Sequence, residues 1–226
     1  MDFSNLDPQT MLMLLQLMKI KQEMEEEQSQ NQNNENEEDN KRSNNKDLLD
    51  VITQTESSIR EWCKMDNYIQ LYDSFQQEFS KEDFFAKTMN KENLVFIFQD
   101  NRGNVFGSYM KTPITQISEM MHYVPNVCPH HFIFSLESNG RLEKPTKWNA
   151  IPNQRTGMFY FKNDPTFIDI GNHIGRIVVV VPGMNNTYFK DIQKTYEGIN
   201  PKIISGVNGM TNYVTLKRVV VLQMKE

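Results

Sequence analysis

The chain of 226 residues is poor in the residue types that define several protein classes. Two cysteines, ten glycines and nine prolines exclude a disulfide scaffold and a collagen-like rod. The longest apolar run, residues 11–18, is much shorter than the ~20 residues that span a bilayer, so we expect no transmembrane helix. Cys63 and Cys128 stand in unlike contexts, and the start MDFSNLDPQ lacks the basic region of a signal peptide. We therefore expect reduced thiols in a cytoplasmic protein, with a nuclear location as the alternative.

Charge is distributed unevenly along the chain. The formal net charge is -5, and residues 1–46 hold ten acidic and five basic residues, so this segment accounts for the whole excess. The rest of the chain is neutral. A nucleic-acid-binding domain usually carries a basic excess, because contacts with phosphates supply much of its affinity. The composition therefore disfavours nucleic acid as the main partner.

The N-terminal residues 1–26 predict a helix with a large apolar surface. Asp7 and Pro8 suit the N-cap and the first helical position. Apolar residues then recur at helical spacing, and those expected to contact a partner are Met11, Leu14, Leu15, Leu17 and Met18. A helix that is apolar over most of its circumference needs a cover. The alternatives for this cover are its own domain, a second copy as in a coiled coil, a groove of another protein, and a membrane surface.

The composition changes twice after this segment. Residues 27–46 are rich in Asn, Gln and Glu and contain no aliphatic or aromatic side chain, which predicts a disordered acidic linker. Residues 47–226 are interpreted as the folded domain with a leading helix. Apolar residues at helical spacing predict that helix over residues 47–64, and a second, short helix is predicted over residues 81–89 with Ser80 as N-cap.

After residue 90 the sequence changes to short runs of β-branched and aromatic residues. Seven of these runs predict strands, at residues 94–98, 105–110, 131–136, 158–161, 166–170, 177–181 and 214–224. Turn sequences separate them, and Gly103 and Gly140 are expected to supply a positive φ in two tight turns. Few helices intervene, so we predict an α+β domain whose centre is an antiparallel two-sheet β-sandwich flanked by helices.

The hairpin within residues 94–114 resembles the TLDc domain, the C-terminal module of the oxidation-resistance proteins. The hydrophobic strand, the polar turn and the G-x-x-F-G-x-Y pattern of that family are matched at Gly103, Phe106, Gly107 and Tyr109. We interpret these as structural residues. Gly107 within a strand pattern indicates a bulge or a close approach of the backbone, and large aromatic residues on strands usually pack in a core.

Other segments follow in the family's order and extend the resemblance over about 165 residues. The family's F-S-L strand signature is matched by Phe134, Ser135 and Leu136. Residues 159–172 and 214–224 resemble the two later segments, and residues 59–74 are similar to the entry of divergent protozoan-type members, which carry a helical or coiled-coil N-terminus. Around Gly171 the chain reads GNHIGRI and lacks the glycine-rich, acidic run of typical members.

The resemblance implies a two-sheet sandwich with no settled enzymatic activity. Family members protect cells from oxidative damage, and several bind or disassemble the vacuolar proton pump, the V-ATPase. By this analogy we expect a non-enzymatic protein-interaction module, with the V-ATPase as a partner. A shared fold does not by itself fix function.

Motifs for catalysis or cofactor binding are missing from the sequence. It has no G-x-S-x-G, P-loop or G-x-G-x-x-G pattern, so we expect no catalytic residue, no cofactor and no metal. Cys128, His130 and His131 have metal-ligand chemistry, but the sequence offers no second ligand pair. We expect Cys128 to be a buried thiol, His130 to face solvent and His131 to begin a strand. Asp164 is interpreted as a turn residue and Asp169 as the outward residue of a strand.

The alternative function is a nuclear regulator that contacts DNA through a local basic face. Four bases fall within 15 residues: Arg141, Lys144, Lys147 and Arg155. A solvated loop is the commoner explanation of such a cluster. A steep loss of DNA affinity with salt would support the alternative.

Overall fold

The computed structural model describes residues 47–76, 79–115, 117–118, 128, 130–161, 165–184, 186–206 and 212–226. Every described residue belongs to one compact unit, residues 44–226. The predicted N-terminal helix and the predicted linker lie outside the described residues. Within the described ranges, no helix is both long enough and apolar enough to cross a membrane.

Twelve strands of the described chain form two six-stranded sheets. In spatial order the first sheet contains β1 (Asn67–Asp73), β12 (Leu216–Lys225), β2 (Leu94–Asp100), β3 (Val105–Met110), β5 (Phe132–Glu137) and β6 (Thr146–Asn149). The second contains β11 (Asn212–Val214), β10 (Thr187–Lys190), β9 (Arg176–Val180), β8 (Thr166–Gly171), β7 (Gly157–Phe161) and β4 (Ile117–Ser118). All neighbouring strands are antiparallel except β4 and β7.

The helices begin at residues that satisfy their first backbone N–H groups. The longest, α1 (Leu48–Cys63), begins at Asp47, whose carboxylate accepts from the N–H of Leu49 at 2.8 Å. The second, α2 (Lys81–Thr88), begins at Ser80, whose hydroxyl accepts from the N–H of Asp83 at 3.2 Å. Two shorter helical segments follow, a 3₁₀ turn (Ile192–Lys194) and α3 (Pro201–Ser205).

Two apolar clusters lie on opposite faces of the first sheet. The larger cluster lies between the sheets and joins side chains such as Phe96 and Phe106 to Tyr160 and Ile168 of the second sheet, together with Phe84 of α2. The smaller cluster lies on the outer face of the first sheet, where α1 packs. The domain therefore has three layers, α1, the first sheet and the second sheet.

The predicted fold class, an α+β domain with two antiparallel sheets flanked by helices, is confirmed. All seven predicted strands are present, with boundaries within two residues of those expected. Five further strands, β1, β4, β6, β10 and β11, were not predicted, because four of them have four residues or fewer and β1 is an edge strand in which only two of seven side chains are buried. The expected strand over 214–224 is wrong at its start, since Val214 ends β11 and β12 begins at Leu216.

Candidate functional site

A cavity lies beside the turn that joins β8 to β9. Its volume is about 510 Å³, within the range of ~300–1,000 Å³ typical of ligand-binding pockets. We refer to it as the β8–β9 cavity, and its lining includes Asn153, Arg155, Phe159, Asn172, His173 and Ile174. These residues come from two segments, the loop between β6 and β7 and the β8–β9 turn, with Phe159 supplied by β7.

The strand register places the apolar floor of this cavity on the outer face of the second sheet. Met158 and Tyr160 belong to the core between the sheets, so Phe159, which alternates with them, faces away from the first sheet. Phe159 is paired with Asp169, and Asp169 with Val178. These three neighbours form a row across the outer face, and Phe159 is its end beside the cavity.

Asn172 holds the β8–β9 turn in one conformation. Its side-chain oxygen accepts three hydrogen bonds, from the N–H groups of Ile174 and Gly175 at 2.9 and 3.0 Å and from the Thr195 hydroxyl at 3.0 Å. Gly171 has a φ of 124°, and a Cβ there would lie 2.4 Å from the carbonyl oxygen of Gly175. A side chain at this position would therefore force the turn open.

Gln154 ties the two walls of the cavity together. Its side-chain oxygen accepts from the Asn172 amide at 2.8 Å, and its own amide donates to the carbonyl of Lys194 at 2.8 Å. The loop before β7, the β8–β9 turn and the 3₁₀ segment are thus joined by side-chain hydrogen bonds. Hydrogen bonds already hold the walls, which lowers the conformational entropy that the site loses when a ligand binds.

The lining of the cavity carries positive charge. Arg155 and His173 are exposed there, and its described residues include no carboxylate. The nearest acid in the sheet register, Asp169, is paired with Arg176 at 3.1 Å. Burial raises the pKa of Asp169 to about 7, against the opposing effect of Arg176. Asp169 does face outward, as predicted, but it is only 3% exposed, so the expectation of an ordinary outward residue is incomplete.

A second cavity, of about 410 Å³, lies beside α2 and is lined by Lys81, Glu82, Phe85 and Met89, among others. The described lining of the two cavities contains no serine, threonine, cysteine or tyrosine. A hydroxyl or thiol nucleophile is therefore not found in the described lining of either cavity.

The residues considered for zinc binding have separate structural surroundings. His131 is buried, with Nδ1 2.9 Å from the carbonyl oxygen of Tyr109 and Nε2 2.7 Å from the hydroxyl of Tyr196. Burial lowers its pKa to about 4. Cys128 is buried and His130 is exposed. Across the described ranges, no group of three or more His, Cys, Asp or Glu residues could hold a metal ion. Asp164 lies outside those ranges.

The glycines and aromatic residues of the family hairpin lie in the turn and the core of the first sheet. Gly103 has a φ of 81° and closes the β2–β3 turn. A Cβ on Gly107 would lie 2.1 Å from the Phe96 carbonyl oxygen, so the backbone approaches as closely as the sequence suggested. Phe106 and Tyr109 are buried on β3. These residues position the strands and lie away from both cavities.

The F-S-L residues follow the same pattern on β5. Phe134 and Leu136 belong to the cluster under α1. Ser135 is buried, and its hydroxyl donates to the carbonyl of Glu137 at 3.2 Å. Phe134 and Leu136 support packing of α1 against the sheet, whereas Ser135 alternates with them and lies on the opposite face of the strand.

The four bases considered as a DNA-binding face have different neighbours. Arg141 donates to the Asn104 side chain and to the carbonyl of Ile203. Lys147 lies 5.2 Å from the ring centroid of Phe132. Lys144 is exposed, and Arg155 lines the β8–β9 cavity. Their contacts therefore do not define one shared basic surface.

Most of the cavity was missed by reasoning from the sequence. Arg155 was singled out, but for a different partner, and Gly171 only as a departure from the family pattern. The local signal was the Asn172-His-Ile-Gly175 turn, since an Asn side chain that caps the N–H groups two and three residues later is a common turn device. Its contact with Gln154 joins segments that the sequence does not link.

Two six-stranded, mostly antiparallel sheets, with α1 on one outer face and a cavity on the other, define an α+β sandwich. The sequence model of one family, the TLDc domain, matches residues 41–210. The chain belongs to the TLDc domain family, as the resemblance implied. Comparison with curated proteins finds none that matches.

Proposed function

We propose that this TLDc chain is a non-enzymatic protein-interaction module and that the β8–β9 cavity is a contact site for its partner. The observation that carries the proposal is the combination of an apolar floor, hydrogen-bonded polar walls and the exposed positive charge of Arg155 in one cavity whose described lining has no hydroxyl or thiol side chain. Such a site can hold a side chain of another protein, because apolar contact supplies affinity and the polar rim fixes orientation.

The surroundings of the buried ionisable groups support the non-enzymatic part of the proposal. His131 is bonded on both ring nitrogens, and Asp100 accepts from two backbone N–H groups and a side-chain amide. Asp169 and Arg218 are each paired with an opposite charge. Perturbed pKa values often mark active sites, but structural networks perturb them too. The contacts of these four groups favour the structural origin.

For the partner and the biological role we propose regulation of the V-ATPase or protection from oxidative stress, from a cytoplasmic location. Both rest on membership of the family, and the cavity provides a surface through which such a module could act. The protein-binding role and the identity of the partner are separable, because a binding site can be retained while its partner changes.

We also propose that the predicted helix within residues 1–26 recruits a second copy or another protein, through Met11, Leu14, Leu15, Leu17 and Met18. The apolar spacing of these residues supports this role. Deleting residues 1–26 should abolish self-association or partner recovery. If both remained unchanged in sedimentation and pull-down experiments, the helix would have no such role.

The direct test of the cavity is recovery of purified V-ATPase on the immobilised full chain. Ile174→Ser and Arg155→Gln change exposed side chains of the cavity, and we expect each to reduce recovery about five-fold, as loss of an interface hot spot does. Met184→Ser and Lys144→Gln are matched controls, because both side chains are exposed but neither lines the cavity. Equal recovery by cavity variants and controls would contradict the proposed site.

A further inference from the structure

We infer that the β8–β9 cavity selects an acidic peptide segment in which Asp or Glu adjoins a large apolar residue such as Leu or Phe. This inference rests on the proposed function and adds the chemistry of the ligand. It is carried by three features of the cavity, namely its charge, its exposed apolar surface and its internal hydrogen bonds.

The charged groups of the cavity favour a carboxylate. Arg155 and His173 are exposed in the lining, and its described residues include no Asp or Glu. Asp169, the acid on the same face, is occupied by Arg176 at 3.1 Å. A guanidinium presents a planar set of N–H donors that matches the two oxygens of a carboxylate. An anionic ligand would therefore meet attraction here without a competing acid in the described wall.

The apolar groups of the cavity favour a large side chain next to that carboxylate. Phe159 forms part of the floor, and Ile174 at the turn is 41% exposed. Phe159 is only 6% exposed, so a ligand removes apolar area from water mainly at Ile174, which is favourable by ~25 cal/mol per Å². Apolar and positive groups lie within one cavity, so a ligand that satisfies both carries its acidic and apolar groups on neighbouring residues.

The hydrogen bonds of the walls limit which polar ligands the site can select. The side-chain oxygen of Gln154 accepts from the Asn172 side-chain amide, and the Gln154 amide donates to the carbonyl of Lys194. The side-chain oxygen of Asn172 accepts from the N–H groups of Ile174 and Gly175. Their polar groups shape the cavity and are already used. The charge of Arg155 is then the main polar determinant, which favours an acidic segment over a neutral one with many hydrogen-bonding groups.

The test uses the full chain labelled with ¹⁵N and three capped peptides. Acetyl-Glu-Phe-Glu-Leu-amide carries both features, acetyl-Gln-Phe-Gln-Leu-amide lacks the charge, and acetyl-Glu-Ser-Glu-Ser-amide lacks the apolar side chains. We expect only the first to shift the amide resonances of residues 153–155 and 172–175 in a saturable manner. Arg155→Gln should weaken this binding about ten-fold, as loss of a charged hydrogen-bonding group does. Lys144→Gln should leave it unchanged.

Each alternative result decides a separate point. Equal shifts with the Glu and Gln peptides, binding unaffected by Arg155→Gln, or shifts outside the cavity would overturn the acidic-apolar selection. If no peptide binds while the cavity variants still lose V-ATPase, the ligand chemistry is wrong and the proposed contact site stands. If the first peptide binds as expected while the cavity variants recover as much V-ATPase as the controls, the inference holds and the proposed partner is wrong.

Discussion

The Nε2 atom of His131 lies 2.7 Å from the hydroxyl oxygen of Tyr196, and both side chains are buried. The other ring nitrogen, Nδ1, faces the carbonyl oxygen of Tyr109, which can only accept. In the neutral ring Nδ1 therefore carries the hydrogen, and Nε2 accepts from the Tyr196 hydroxyl. Tyr109 lies on β3, and Tyr196 forms a bridge with Ala150. A neutral imidazole thus links the first sheet to the loop after β10.

This geometry predicts a loss of stability in mild acid. Burial lowers the pKa of His131 from 6.5 to about 4, so between these values the unfolded chain binds a proton that the folded chain does not. The contribution is present above pH 6.5 and is lost as pH falls toward 4. It amounts to about 2 kcal/mol between pH 7.5 and pH 5. Urea unfolding at the two pH values measures it.

The comparison of stability at pH 7.5 and pH 5 needs a variant without His131, because two buried acids titrate in the same range. Burial raises the pKa of Asp100 to about 6 and that of Asp169 to about 7. Raised carboxyl pKa values add stability as pH falls, opposite to the effect of His131. In His131→Asn the two acids remain, so the difference in pH slope between the proteins isolates the histidine. NMR titration of the His131 ring provides a second measurement, and a midpoint near 6.5 would contradict the prediction.

At Gly107 we expect even one added methyl group to destabilise the fold. An added Cβ would lie 2.1 Å from the carbonyl oxygen of Phe96, in the neighbouring strand, and 2.5 Å from the ring of Phe134. The strand cannot shift without breaking its ladder, so Gly107→Ala should cost more than about 3 kcal/mol, beyond typical overpacking. The free energy of unfolding in urea tests this.

Gly140→Ala is the matched control for that substitution. Gly140 has a φ of 79°, but a Cβ there would meet nothing within 4 Å. Only backbone strain is added, which costs about 1–2 kcal/mol. If the two alanine variants were equally stable, the close approach at Gly107 would not limit the fold.

Arg218 joins the start of α1 to two strands. Its Nη2 and Nε atoms donate to both oxygens of Asp73 at 2.6 and 2.9 Å, and Nη1 lies 3.3 Å from Asp47, the N-cap of α1. Burial alone would raise the pKa of Asp73, but hydrogen bonds from Arg218 and from the N–H of Phe75 outweigh it and lower that pKa. The carboxylate therefore remains charged.

Removing Arg218 should destabilise the fold strongly, because it leaves a buried carboxylate without its partner. We expect Arg218→Met to cost about 3–5 kcal/mol, and Arg218→Lys less, since lysine keeps the charge but loses the two-pronged bond. Lys194→Met, which removes an exposed pair with Asp191, should cost less than about 1 kcal/mol. Thermal unfolding compares the three, and a similar loss in all of them would contradict a special role for Arg218.

The elements predicted from the sequence are those whose signal is local. The β2–β3 hairpin has long apolar strands and a turn glycine at Gly103, so pattern and turn chemistry agree. In contrast, β1 is an edge strand in which only two of seven side chains are buried, and β6 buries only Trp148 among four residues. The cavity escaped prediction because the bond between Gln154 and Asn172 depends on how distant loops meet in the folded chain.

Because Cys63 and Cys128 are buried, we expect their thiols to react slowly in the native state. Burial raises the pKa of Cys63 to about 12, although Lys147 opposes this, so almost no thiolate forms at neutral pH. Cys128 is buried as well. Labelling with an aromatic disulfide reagent should be slow in buffer and complete within minutes for both thiols in guanidinium chloride, which is the control for reagent quality. Rapid native labelling would contradict this prediction and would instead support a redox role for these thiols.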